Sequence, residues 1–298
     1  MTPHLPPITT LSLAARSGAF VELLKPRLSL LVAFSCAFGY SLATKGQVDW
    51  LILSTLTLSG FLLSGASVTI NQVMERDLDA LMDRTKMRPL PTGRVTVSEA
   101  LLFAVTCAVF SLVLLWIYTN PLTTVLSLVS LMLYSFLYTP LKRVGPIAVF
   151  VGAFPGALPP LLGWVAATGI VSHEALIIFG IQFIWQFPHF WAIAWVADDD
   201  YKRAGFKLLP SGGGKDLNTA IQIMIYTMFL IPLGLLPAKF GMTGLDSAIV
   251  ATVCGVAFFA QTFSLMKTGS RQSALRIMFG SFIYLPVVQI AYLLDKVG

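Results

Sequence analysis

Ionised side chains are scarce in this chain. Asp, Glu, Lys and Arg make up only 11% of its 298 residues, 56% are hydrophobic, and the mean hydropathy is +0.79. Such a composition excludes a soluble globular domain and indicates an integral membrane protein. Cysteine is nearly absent: Cys36, Cys107 and Cys254 are odd in number, lie in apolar stretches and lack metal-ligand spacing. That rules out a disulfide framework and a thiolate metal site. Histidine is limited to His4, His173 and His189. Residues 1–18 hold one Arg and no long apolar core, so neither a secretory signal nor a mitochondrial presequence is expected there. They read as a short cytoplasmic tail ahead of a single transmembrane domain over residues 19–298.

What the chain has in quantity is apolar runs long enough to cross about 30 Å of hydrocarbon. About nine are expected, over residues 28–43, 50–74, 100–118, 122–141, 147–168, 175–197, 220–238, 248–266 and 274–294. The fold class is therefore all-α and polytopic. If the connecting loops alternate sides, seventeen of the twenty Lys/Arg fall on one side, leaving only Lys45, Lys239 and Lys296 on the other. The positive-inside rule places the N-terminus and the charged loops in the cytoplasm. A net charge of +6 is then mainly a topology signal that also suits an anionic substrate and anionic lipid headgroups of the bilayer. Nucleic acid is not expected as a partner, because the cations are dispersed among separate loops.

Against that apolar background, residues 71–94 (NQVMERDLDALMDRTKMRPLPTGR) pack four carboxylates and five Lys/Arg into twenty-four positions. At about 100° per residue, Asn71, Glu75 and Asp79 step by only about 40° around a helix, so one amide and two carboxylates share a face. Hard cations such as Mg²⁺ take oxygen-only ligands, keep several waters and bridge to substrate phosphates. Arg84, Lys86, Arg88 and Arg94 follow and suit the phosphate itself. A charged cytoplasmic loop that merely helps to orient the protein accounts for the charge equally well.

Residues 197–216 (ADDDYKRAGFKLLPSGGGKD) repeat the theme at the end of the sixth run, with Asp198, Asp199 and Asp200 running into Lys202 and Arg203. Two acidic helix ends four helices apart suggest a duplicated four-helix unit facing a shared cavity. Paired acidic loops at a membrane surface form a trap for a diphosphate whose apolar tail the bilayer accepts, which describes an isoprenyl diphosphate.

The placed residues Asn71, Glu75, Asp79, Arg84, Thr85, Arg88, Pro89, Leu90, Pro91 and Gly93 resemble the first signature of the UbiA superfamily of intramembrane prenyltransferases. Gln72 stands where quinone-type members carry their first Asp, and Glu75 replaces an Asp. ELLKPR (22–27), YTPLKR (138–143) with GAFPGALPPLLGW, and WQFPHF followed by DDYKRAG look like the protohaem IX farnesyltransferase (haem O synthase) branch. The resemblance runs from about residue 22 to residue 210. It implies a helical bundle around a central cavity, a Mg²⁺ cofactor, and transfer of farnesyl from farnesyl diphosphate to a vinyl group of haem B. It also implies a bacterial inner-membrane location and, as partners, the downstream haem A synthase or oxidase assembly proteins.

With that frame, Asn71, Glu75 and Asp79 are expected at Mg²⁺, with Asp199 and Asp200 at a second metal or in positioning. Arg84, Arg88, Lys142, Arg143, Tyr201 and Lys207 are candidates for the diphosphate. Lys142 and Arg143 also suit the haem propionates, or the bland role of positive-inside anchors. His189 lies within a span, where an ionisable residue is a functional candidate. It can ligate haem iron with Trp185 and Gln186 beside it, or simply brace a kink at Pro188. Gly152, Pro155, Gly156, Pro159 and Pro160 are expected to break or bend the fifth helix. Other readings are a quinone-precursor or chlorophyllide prenyltransferase, a transporter, and a binding or assembly protein. The transporter is disfavoured because the charges cluster at one face and not at mid-bilayer.

Overall fold

The computed structural model describes residues 12–212 and 214–297, without the side chain of Leu13. A short first helix, α1 (Leu13–Leu23), begins at Ser12, whose side chain accepts from Ala15 N–H. Part of the expected tail, residues 13–18, is thus helical, and residues 1–11 lie outside the described residues. Among the described residues nine helices are long and apolar enough to cross a membrane. They are α2 (Pro26–Ala43), α3 (Trp50–Met74), α5 (Val97–Tyr118), a composite of α6 (Pro121–Met132), a π-helical stretch (Leu133–Tyr138) and α7 (Thr139–Leu141), then α8 (Ile147–Thr168), α9 (His173–Val196), α11 (Leu217–Gly234) continued by α12 (Leu236–Lys239), α13 (Leu245–Thr268) and α14 (Arg271–Leu294). Two one-turn helices, α4 (Arg76–Asp79) and α10 (Asp198–Arg203), follow α3 and α9.

Helices are what lipid permits, because a helix satisfies its backbone internally. Polar residues set where they start: Asp49 accepts from Leu51 and Ile52, Thr96 and Glu99 form a capping box, and Asn120, Ser172, Asp216 and Ser270 each accept from a first-turn N–H. α3 and α9 end alike, at Glu75 (φ −101°, ψ 9°) and Ala197 (φ −98°, ψ 14°), before their one-turn helices. The two acidic segments therefore leave the bundle by the same backbone break.

The proline-rich helix α8, where a break or a bend was expected, runs without a break from Ile147 to Thr168. Pro159 and Pro160 cannot donate to the carbonyls four residues back, and other helices take those carbonyls over. Ser130 Oγ donates to Pro155 O (3.4 Å) and Gln182 Nε2 to Gly156 O (2.8 Å). α8 also sits backbone to backbone with α2: a Cβ built on Gly39 would lie 1.9 Å from Pro160 O, and one on Gly163 2.1 Å from Cys36 O. Small residues let membrane helices approach this closely. α9 packs on α8 and α14, whereas α2 and α14 meet only along a thin seam with Leu28, Leu31 and Phe282 exposed. Inside, a largely apolar cavity of about 310 Å³ is lined by α2, α3, α6, α8, α9 and α14.

A charged pocket above an apolar chamber

A second pocket, of about 100 Å³, sits where the loops close over the bundle, and Tyr134 and Tyr138 line both spaces. These two tyrosines come from the π-helical stretch, which precedes Pro140 and shifts the register of the helix by one residue. The pocket is lined by Lys25, Asn71, Glu75, Asp79, Arg84, Arg88, Lys142 and Tyr201, with Met82, Phe206 and Leu208 as apolar walls. The face that helical spacing assigned to Asn71, Glu75 and Asp79 is present, although the helix breaks at Glu75 and resumes as α4.

Each of these three is held. Asn71 Nδ2 donates to Thr139 Oγ1 (3.1 Å), which leaves its Oδ1 for the pocket. Buried Asp79 accepts two bonds from Arg88 Nη1, at 2.8 and 2.7 Å. Lys142 Nζ lies 2.9 Å from Glu75 Oε1 and donates to Oε2 at 3.1 Å. Burial works to lower the Lys142 pKa, but Glu75 outweighs it, so the ammonium is held above its ordinary range. Glu75 and Asp79 are thereby neutralised by cations that a stronger anion can draw away.

Lys25 is the charged pocket residue to which the sequence assigned no role. It occupies the junction of α1 and α2 with φ +45°, a left-handed conformation rare for a side-chain-bearing residue. A strained backbone of this kind persists where surrounding structure enforces it, commonly at functional sites. Burial, then Arg88 and Lys142, depress its pKa to about 7 against the pull of Asp79 and Glu75. Its signal in the chain was its place in ELLKPR (22–27), which carries the family resemblance; a positive φ at a lysine cannot be read from composition.

The second acidic loop is arranged differently. Asp198 is buried between Lys202 (2.8 Å) and Lys215 (3.0 Å), and the Asp199 side chain is 94% exposed. Asp200 accepts from the backbone N–H of Asp83 (3.1 Å) and of Arg84 (3.3 Å), while Arg203 bonds both Asp83 (2.7 Å) and Asp200. Burial opposes ionisation of Asp200, but Arg203 and the two N–H groups prevail and hold its carboxyl below the usual range. This clasp joins the loops and positions Arg84, whose guanidinium lies 5.8 Å from the Tyr201 ring centroid. None of the three aspartates lines the pocket, and Arg143 and Lys207 are exposed outside it. Gln72, at the position where quinone-type enzymes carry Asp, donates to Leu23 O (2.8 Å) and Val68 O (3.1 Å), anchoring α1 on α3.

Among the described residues no three His, Cys, Asp or Glu side chains converge on a metal position. The donor set nevertheless fits Mg²⁺ as a partial shell: one amide oxygen and two carboxylates on one wall, open space before them, and cations beside them for a bridging phosphate. Trp185, Gln186 and His189 line the apolar chamber below.

Known proteins share this architecture. The model of the UbiA prenyltransferase family matches residues 32–285. A protoheme IX farnesyltransferase of Cytophaga hutchinsonii is 52% identical over 285 residues, covering 96% of this chain and all of that protein. One from Christiangramia forsetii is 46% identical, with 93% of each chain covered. Among solved structures, a digeranylgeranylglyceryl phosphate synthase superposes with a TM-score of 0.78 at 18% identity, covering 94% of this chain and 98% of its own. A UbiA homologue from Archaeoglobus fulgidus bound to GPP and Mg²⁺ superposes with a TM-score of 0.66 at 18% identity, covering 92% and 99%. A charged pocket roofing an apolar chamber, in a bundle of membrane-length helices whose sequence and fold both match, makes this chain a member of the UbiA prenyltransferase family.

Proposed function

We propose that this prenyltransferase joins the farnesyl group of farnesyl diphosphate to a vinyl group of haem B, with addition of water, giving haem O and diphosphate. The observation that carries the diphosphate half is the pocket's charge: Lys25, Arg84, Arg88 and Lys142 face only Glu75 and Asp79. Three permanent cations and Lys25, which a bound anion keeps protonated, against two carboxylates at a membrane surface are balanced by a multiply charged anion. Arg88 and Lys142 need only exchange Asp79 and Glu75 for phosphate oxygens. A Mg²⁺ held by Asn71, Glu75 and Asp79 would add electrostatic stabilisation of the leaving group, as the metal and prenyl diphosphate in the Archaeoglobus homologue suggest.

The apolar chamber supports the second half. The C1–O bond of farnesyl diphosphate breaks with its electron pair on the diphosphate, which the pocket cations hold. Carbon C1 then bonds the terminal vinyl carbon, and the cation left on the inner vinyl carbon takes water and releases a proton to solvent. Until that step the allylic cation needs a dry environment, which a cavity walled by apolar side chains provides. His189, with Trp185 stacked on its ring and Gln186 nearby, offers the macrocycle aromatic and ligating contacts. The α2–α14 seam gives lipid-borne substrates a way in. The names of the relatives at 52% and 46% identity select haem over other acceptors.

The test is direct: purified protein with haem B, farnesyl diphosphate and Mg²⁺ should yield a haem heavier by farnesol, EDTA should stop the reaction, and Mg²⁺ should restore it. Unmodified haem alongside prenylation of an aromatic acid would overturn this reading. The same reading locates the enzyme in a bacterial inner membrane with the charged pocket facing the cytoplasm. Cysteines introduced at Thr92 and Ser211 should then be labelled from the cytoplasmic side, and those at Gly46 and Gly241 from the other.

A further inference from the structure

We propose that Ser281 is a positioning residue that fixes the tautomer of His189, leaving Nε2 as an axial ligand for the iron of the haem substrate. The inference rests on the reading that haem B is the acceptor, and adds how that acceptor is held. Ser281 Oγ lies 2.6 Å from Met278 O on its own helix and 2.8 Å from His189 Nδ1. A hydroxyl has one proton, and a carbonyl can only accept it. With that proton on Met278 O, Oγ can only accept at the second contact, so Nδ1 carries the hydrogen. In the neutral imidazole the lone pair is then on Nε2. Among the described residues Nε2 has no hydrogen-bond partner and is not sealed off, and the ring lines the apolar chamber.

The ring is also kept from turning. Trp185 stacks on it at 4.5 Å between centroids and 18° between planes, and Phe282 meets it edge-on at 4.9 Å. Trp185 is itself tied by Nε1 to the Ser281 carbonyl at 3.0 Å. One residue of α14 thus orients the imidazole through its side chain and fixes the flanking indole through its backbone. A histidine with one nitrogen hydrogen-bonded to a fixed acceptor and the other directed into open space is the arrangement that orients metal-ligating imidazoles. His189 lies seven residues, about 10 Å along the helix axis, before the end of α9.

The experiment compares haem B with metal-free protoporphyrin IX on the full chain in detergent. Ser281→Ala should weaken haem B binding by about 10- to 100-fold, the usual effect of losing such a partner. It should leave metal-free porphyrin and a farnesyl diphosphate analogue bound as before, and Ser281→Thr should rescue. Equal weakening for both porphyrins would assign Ser281 to packing and overturn the proposal. Should Ser281→Ala fail to fold, the wild-type ferrous haem complex decides: resonance Raman should show an iron–imidazole stretch that His189→Gly abolishes. A wild-type enzyme that farnesylates haem without that band would overturn the ligation and leave the reaction standing. A wild-type enzyme that farnesylates only a different acceptor would overturn both.

Discussion

Asp79 and Arg88 are nine residues apart in the chain and meet through two hydrogen bonds, with one guanidinium nitrogen 2.8 Å from Oδ1 and 2.7 Å from Oδ2. The carboxylate is buried, so its charge has been taken out of water and is compensated chiefly by this arginine. Together with Glu75 and Lys142 the pair stores two cations and two anions side by side, ready to separate when a diphosphate and its metal arrive.

Removing the carboxylate should therefore disable chemistry more than it disturbs assembly. Asp79→Asn is expected to lower kcat by about 10²- to 10³-fold, the scale of losing one electrostatic contact at a developing charge. Monomer yield and helical content in detergent should stay near wild type, since the amide keeps a hydrogen-bond acceptor for Arg88. Product formation by mass analysis checks this, and activity within a few-fold of wild type would remove Asp79 from the site.

Lys25 makes the pH dependence predictable. Its pKa is lowered to about 7, so it is cationic below that value and neutral above. Capture of the anionic substrate should weaken as pH rises through about 7 in the free enzyme, appearing as a rising KM for farnesyl diphosphate. A bound diphosphate restores the charge, so kcat should move less. Lys25→Arg, which cannot lose its proton, should flatten this limb; an unchanged profile would show that another group sets it.

The aspartates of the second loop should separate by role. Asp200→Ala breaks the clasp on the Asp83 and Arg84 backbone, and is expected to raise KM for farnesyl diphosphate several-fold through Arg84, a part of the value of the charged hydrogen bonds lost. The Mg²⁺ concentration for half-maximal rate should barely change. Asp199→Ala, at a solvent-facing side chain, should be near silent. A large shift in Mg²⁺ requirement for either variant would return that residue to the metal.

The α2–α8 contact gives a stability prediction. Gly163→Ala puts a methyl against backbone, which cannot swing aside as a side-chain tip can. The helices must separate, at a cost of about 1–3 kcal/mol typical of overpacking, read as a lower Tm in detergent. Gly180→Ala, where a Cβ meets nothing within 4 Å, is the matched control.

The apolar runs determined the architecture without help. Nine long hydrophobic stretches have only one way to satisfy their backbones in lipid, and each proved helical within a few residues of its expected limits. The Asn71, Glu75, Asp79 face was legible for a similar reason: residues four apart along a helix end share a side whatever surrounds them. Arg84 and Arg88 could be assigned because they follow within one loop. What pairs with what was not in the pattern. Lys142 reaches Glu75 across 67 residues, and Ser281 reaches His189 across 92, through contacts that exist only once the bundle has closed. Asp198, Asp199 and Asp200 look equivalent in sequence; whether each meets a lysine, water or another loop's backbone depends on how α10 leaves α9. Lys25 enters the site through a left-handed φ at the junction of α1 and α2. Local periodicity determined which elements form and which side chains share a face, while the charge neutralisation, hydrogen-bond direction and backbone strain that make those side chains a site were decided by tertiary closure, because each depends on a partner distant in the chain.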